Sequence, residues 1–220
     1  MNASGQTVEI LTDLAFRLEP GRIGALIGPS GCGKSTLMRI IAGLDHGFEG
    51  KVQRPPGRLG FVFQEPRLLP WRSVEDNIRL AAPDVGRDEL DSLLQLLGLA
   101  GHRAHFPSEL SLGLARRVAI ARAFAIKPAL LLLDEPFVSL DAPLALAMQQ
   151  ELAALVAERA VTTVLVTHDV SEAVRLADRI FVLSHRPARV IGAIRVESPR
   201  ERMSADEAKS LEARIEAFHG

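Results

Sequence analysis

Eight consecutive residues, Gly28-Pro29-Ser30-Gly31-Cys32-Gly33-Lys34-Ser35, match the pattern GxxxxGK[ST]. A short apolar run, Ile23–Ile27, precedes them, and a helical pattern over Lys34–Ala42, stopped by Gly43, follows. A strand before and a helix after is the context in which this pattern binds phosphate. The residue types supply the chemistry. Glycines let backbone N–H groups turn toward phosphate oxygens, the helix start adds its dipole, Lys34 puts a positive charge on the β and γ phosphates, and the Ser35 hydroxyl suits Mg2+. Cys32 occupies a variable position of the pattern and, with no second thiol in the chain, is assigned no redox chemistry. Its place in the loop predicts that a bulky alkylating reagent there blocks nucleotide.

A second set of chemical groups follows two apolar runs. Leu130-Leu131-Leu132-Leu133 ends in Asp134 and Glu135. An aspartate at such a strand end is placed to hold a Mg2+-bound water beside a phosphate loop, and Glu135 falls where it would orient and partly deprotonate an attacking water. Taken alone, two acidic residues after a strand are more often a loop start or a helix cap; the phosphate loop in the same chain turns the reading to catalysis. Residues 161–166 run into Thr167-His168-Asp169. An imidazole N–H at His168 would reach the γ phosphate or the attacking water, or be satisfied locally, and the residues leave both open. Asp169 with Glu172 reads as a helix-capping pair.

These groups need elements to carry them. Residues 59–63 read as a strand, Pro66 and Pro70 end regular structure, and residues 73–125 read as mostly helical. Residues 129–133 and 161–166 read as buried strands with polar C-terminal ends, the edge at which parallel α/β sheets hold ligands. Asp141 before Ala142-Pro143 predicts an N-cap for a helix reaching about Ala160, and Ser204-Ala205-Asp206-Glu207 predicts a capping box for the last helix. Residues 180–183 and 190–196 read as further strands, and Phe16 alternates with Leu14 and Leu18 as in a strand. A chain of 220 residues, 47% hydrophobic and 24% charged, fits one α/β domain better than two. A net charge of −1 gives nucleic acid or an anionic membrane no general attraction, so no nucleic-acid partner is expected. The apolar runs fall short of the roughly 18 residues needed to span a bilayer. Residues 1–6 lack the features of a secretory signal and a lone cysteine forms no internal disulfide, which together predict a cytoplasmic protein.

In this order the residues resemble the ABC transporter ATPase family, over nearly the whole chain. Residues 28–36, ending in Thr36, resemble Walker A, Gln64 the Q-loop, and Leu110-Ser111-Leu112-Gly113-Leu114 the signature usually written LSGGQ. Leu130–Asp134 with Glu135 resembles Walker B and its catalytic glutamate, Ser139-Leu140-Asp141 the D-loop, and His168 the switch histidine. Residues 116–123 are similar to the family's signature helix. The resemblance implies a P-loop NTPase of the ABC type, a single domain over residues 1–220 with a mixed-sheet core lobe and a helical subdomain inserted over about residues 66–118. It implies ATP held by Gly28, Pro29, Ser30, Gly31, Cys32, Gly33, Lys34, Ser35, Thr36 and Gln64, Mg2+ by Ser35, Gln64 and Asp134, and hydrolysis by Glu135, His168 and Lys34. It further implies a head-to-tail homodimer in which Ser111 and Gly113 of one copy complete the ATP site of the other. Those two residues would start a helix over residues 114–126, with its dipole and N–H groups aimed at phosphate; Ser111 also reads as a plain N-cap.

Residues 68–78 and 184–190 are similar to segments of importers for nitrate, taurine and aliphatic sulfonates. That implies solute uptake through separate transmembrane permease subunits, at the cytoplasmic face of the cell membrane, with a periplasmic or extracellular solute-binding protein taking part indirectly. Trp71 reads either as an exposed anchor for a permease coupling helix or as a buried subdomain tryptophan. The alternative is a soluble or regulatory ABC ATPase not coupled to transport. Leu112 and Leu114 stand where the signature has glycine and glutamine, which predicts weaker closure on ATP. The segment before the phosphate loop leaves little room for an adenine-stacking aromatic, and the chain has no tyrosine. The solute itself touches the permease and binding protein, so it is not written in this chain.

Overall fold

The computed structural model describes residues 8–197 and 203–218, so the reading of residues 1–6 lies outside the described residues. In chain order the elements are β1 (Ile23–Ile27), α1 (Lys34–Ala42), β2 (Leu59–Val62), α2 (Val74–Ala81), α3 (Arg87–Leu96), α4 (Leu112–Ala125), β3 (Leu130–Asp134), α5 (Ala142–Arg159), β4 (Thr162–Thr167), α6 (Val170–Leu176), β5 (Arg179–Leu183), β6 (Val190–Arg195) and α7 (Ala205–Glu216). Two compact units divide the chain, Met1–Arg54 with Val164–Gly220, and Pro55–Thr163, the boundary falling inside β4. None of the helices among the described residues is long and apolar enough to cross a membrane.

In the first unit every residue of β1 is buried, as its continuous apolar run requires of a strand covered on both faces. It pairs in parallel with β5, which pairs antiparallel with β6, so the sheet is mixed. Asp178 anchors the start of β1: its carboxylate accepts from Ile23 N at 2.7 Å and its own N–H donates to Ile23 O at 2.8 Å. The expected strand at Leu14, Phe16 and Leu18 does not form. The alternation is real, with these three half-buried between exposed neighbours, but the backbone has no ladder partner. Instead Leu18 packs where Gly24 leaves room, and the Phe16 ring lies 5.0 Å from that of Phe181. Ser204 and Glu207 cap α7 reciprocally, as expected.

The second unit is built on β2 and β3, paired in parallel from Leu59↔Leu130 to Val62↔Leu133. Helix α4 lies close on β2 because Gly60 has no side chain; a Cβ there would sit 2.9 Å from Ala123 O. Leu90, Leu93 and Leu94 of α3 and Val118, Ile120 and Phe124 of α4 supply buried apolar surface. Asp141 caps α5 by accepting from Leu144 N at 3.0 Å, with Pro143 in the first turn. Asn77 on α2 is 1% exposed. Its carbonyl oxygen accepts from Leu69 N at 2.8 Å, and its amide donates to the carbonyls of Leu69, Arg72 and Ser73. That grip shapes the turn that presents Trp71, which is 68% exposed and so is not a buried subdomain tryptophan.

Candidate functional site

The phosphate loop joins β1 to α1, and its glycines are required for different reasons. At Gly28 a Cβ would come 2.9 Å from Leu183 Cβ, while Gly31 has φ 75° with open space around it. Gly33 combines both demands: φ 122°, and a Cβ that would strike Ile10 Cγ2 at 2.7 Å and Leu11 Cδ2 at 2.9 Å. Gly33 is also the N-cap of α1 and brings no capping side chain, so the first N–H groups of the helix are available to an anion. Lys34 is buried, and its ammonium donates to Gly28 O at 2.7 Å and Pro29 O at 2.9 Å, two of its three N–H groups. Ser35 is exposed in the first turn of α1 and Thr36 half-buried. Cys32 is 2% exposed, so burial limits the access of a bulky reagent to the thiol.

His168, in the same unit, is exposed directly after β4. The next residue begins α6: the Asp169 carboxylate accepts from Ser171 N and Ser171 Oγ, each at 2.8 Å, and from Glu172 N at 3.2 Å. Partial burial alone would raise the Asp169 pKa, but these hydrogen bonds and the charge of Arg175 outweigh it and hold the carboxyl below its usual range. Asp169 is thus the N-cap of α6, and Glu172, whose N–H it receives, is buried within the helix.

The second unit gathers its own set at one strand edge. Gln64 and Glu135 each lie two positions beyond the last β2–β3 pair, Val62↔Leu133, and Asp134 one position beyond. Asp134 is 8% exposed, Glu135 half-buried and Gln64 exposed. Glu135 adopts φ 46°, an uncommon conformation for a non-glycine residue that turns the chain sharply out of β3. Gln64 and Asp134 bring an amide oxygen and a carboxylate to this edge, and in the first unit Ser35 has a hydroxyl; each is a hard oxygen donor of the kind Mg2+ takes. Among the described residues no group of three or more His, Cys, Asp or Glu side chains could hold a metal ion.

Helix α4 starts two residues earlier than expected. Ser111 is its N-cap, accepting from Leu114 N at 3.3 Å, so Leu112 and Gly113 already lie in the first turn. The N–H groups of those two residues are therefore the ones at the helix end available to an anion. Leu112 is 45% exposed, whereas Gly113 is buried and its missing Cβ would meet Leu144 Cδ2 at 2.6 Å, so this glycine also serves the packing of α4 on α5.

Two arginines on α4 make contacts that motif reading missed. Arg116 is buried and donates to Pro136 O at 3.2 Å, directly after Glu135. Arg122 donates to Pro66 O and Arg67 O, just beyond Gln64. Burial pushes both guanidinium groups below their ordinary pKa. The signal in the sequence was a cluster of arginines on an otherwise apolar helix, but nothing local names the carbonyls they reach.

Residues 11–138 match the family described as ABC transporter. The chain is 46% identical over 203 residues to the aliphatic sulfonates import ATP-binding protein SsuB 2 of Pseudomonas syringae pv. tomato, covering 90% of this chain and 86% of that one. It is 44% identical over 220 residues to the protein of the same name from Burkholderia cenocepacia, covering 95% and 82%. Among solved structures, the dimeric structure of a bacterial ABC transporter cassette matches with a TM-score of 0.79 and 28% identity, over 90% of this chain and 96% of that one. A dimeric post-hydrolysis state of an ATP-binding cassette bound to ADP and Pi matches with a TM-score of 0.75 and 28% identity, over 89% and 94%. With relatives at this identity over nine-tenths of its length, the chain belongs to the ABC transporter family and is one of its ATP-hydrolysing cassettes.

Proposed function

We propose that this chain is the ATP-hydrolysing subunit of an importer for aliphatic sulfonates or for related solutes such as taurine or nitrate. It works as a head-to-tail homodimer on the cytoplasmic face of the membrane, beneath separate permease subunits that a solute-binding protein supplies. The importer reading is supported by the names of its relatives and by the likeness of residues 68–78 to that group. A helical subdomain over about residues 66–118, with Trp71 displayed on its turn, is the part that would meet the permease.

The observation that carries the hydrolytic reading is the β2–β3 pairing, which delivers Gln64, Asp134 and Glu135 to one edge. The N–H groups of residues 31–36 and the Lys34 ammonium hold the phosphates. Ser35, Gln64 and Asp134 would hold Mg2+, which would supply positive charge to the phosphate oxygens. Glu135 orients a water in line with the γ phosphate and takes its proton as the water attacks, while His168 donates an N–H to the γ phosphate. From the second copy, Ser111 and the first-turn N–H groups of Leu112 and Gly113 face the same phosphate. Leu112 puts an isobutyl group where the family pattern has no side chain, which makes closure of the dimer on ATP weaker.

The test is Glu135→Gln, assayed alone and with the permease encoded beside it. ATP binding is expected to persist and turnover to fall about 100-fold or more. Normal turnover in that variant would overturn the role of Glu135. Unchanged sulfonate, taurine and nitrate uptake in cells lacking this chain would overturn the importer reading.

A further inference from the structure

We propose that Arg122 is a positioning residue for Gln64, tying the arch that follows β2 to the last turn of α4. The proposal rests on the reading of Gln64 as a ligand of the nucleotide's Mg2+. Arg122 donates through Nη1 to Arg67 O and through Nη2 to Pro66 O, both at 2.9 Å. These carbonyls belong to the second and third residues after Gln64, on a stretch that has left the β2–β3 ladder. Pro66 has no N–H to give and Arg67 has φ 47°, so the arch has little backbone bonding of its own. A planar guanidinium donating in parallel to two carbonyls fixes both place and orientation, which a lysine ammonium, a point charge, does not.

The other side of the arch is closed as well. The Arg67 guanidinium lies 4.2 Å from the centre of the Phe63 ring, and Phe63 stacks on Phe61 of β2 at 4.0 Å. Gln64 is therefore bracketed by Phe63 before it and by the Arg67–Phe63 contact after it, and Arg122 clamps the bracket to α4. Next to Arg122, Ala123 is the residue whose carbonyl Gly60 admits so closely to β2. Helix α4 thus touches both β2 and the arch that leaves it. Gln64, Glu65 and Arg67 are exposed, so the clamp adds nothing to the apolar core. Arg122, half-buried, spends its guanidinium on two backbone carbonyls of a surface arch; the position of Gln64 gives that a purpose. The far end of the same helix is the Ser111 cap, about 16 Å along the rod from Arg122.

The experiment compares wild type, Arg122→Gln, Arg122→Lys, Gln64→Ala and the Gln64→Ala/Arg122→Gln double variant, each as the full chain with its permease. Hydrogen exchange of the peptide spanning residues 61–72 is read without nucleotide, and kcat, KM for ATP and the half-saturating Mg2+ concentration are read from hydrolysis. Arg122→Gln is expected to speed exchange in the arch about 10-fold and to lower kcat about 10-fold, with KM for ATP within about twofold and the Mg2+ requirement raised. In the Gln64→Ala background the same substitution should change kcat by less than about twofold, because the two act as a unit. Arg122→Lys should fall between the two, and carries the same comparison if Arg122→Gln does not fold. Unchanged exchange in the arch, or full multiplication of the two effects in the double variant, overturns the proposal. If Gln64→Ala alone leaves kcat and the Mg2+ requirement untouched, it is the reading of Gln64 that fails, and the exchange data still decide whether Arg122 holds the arch.

Discussion

Lys34 is held by carbonyls five and six residues away, those of Pro29 and Gly28. The segments after Glu135 and Gln64 are held by arginines 20 residues away in one case and 55 and 56 in the other. The phosphate loop bonds its own lysine, though Ile10, Leu11 and Leu183 press on its glycines; the strand edge with Gln64 and Glu135 is shaped by a helix borrowed from elsewhere in the chain. A site of the first kind is broken by changes inside it, and one of the second kind by changes that touch none of its reacting groups. The importance of a residue to the edge is therefore not measured by its closeness to the γ phosphate.

The sharpest way to break the local half is Gly33→Ala. It combines a φ of 122° with a Cβ 2.7 Å from Ile10 Cγ2, and should cost about 2–3 kcal/mol of stability and abolish ATP binding. Urea unfolding followed by circular dichroism and titration with a fluorescent ATP analogue check both, and wild-type binding would refute the account of the loop. The borrowed half is tested by Arg116→Met, which fills similar space and leaves Pro136 O without its donor. About 1–2 kcal/mol of stability should go, with turnover falling while ATP affinity stays, since no phosphate-binding group is touched. Equal losses in affinity and turnover would show that the two halves are not separable.

The smallest effect belongs to Asp169→Ala, another locally closed device. The carboxylate is exposed to screening, so the lost cap should cost about 0.5–1 kcal/mol at neutral pH. Because the folded-state pKa is depressed, this stabilisation is full above the ordinary carboxylate range and is lost as pH falls through the folded value. The wild type and variant should therefore converge in stability only below the depressed folded-state value, on the acid side of the ordinary carboxylate range. A gap that persists in acid would show that Asp169 acts through packing rather than charge.

The same contrast decides what could be read in the sequence. The phosphate loop, the stop of α1 at Gly43, the Asp141 cap and the Ser204–Glu207 box were legible because each bonds within six residues. Each strand end that delivers Asp134, Glu135 and His168 was legible from an apolar run meeting polar residues. The onset of α4 lies at Leu112 rather than Leu114, with Gly113 inside the first turn, where its lack of a side chain admits Leu144. Residues 14–18 alternate as a strand does, but the alternation reflects side chains laid over Gly24 and Phe181 rather than a ladder. The reach of Arg116 and Arg122, and the choice between a buried and a displayed Trp71, depend on residues brought near only by folding.

Trp71 is the one tryptophan in the chain, and Asn77 keeps it out on a turn rather than in the core. Its indole already emits from water in the folded protein, so melting the core barely alters its colour, while a protein surface laid over the turn would shift its emission toward the blue. The chain thus carries an optical probe that is nearly blind to its own unfolding and sensitive to what docks on it.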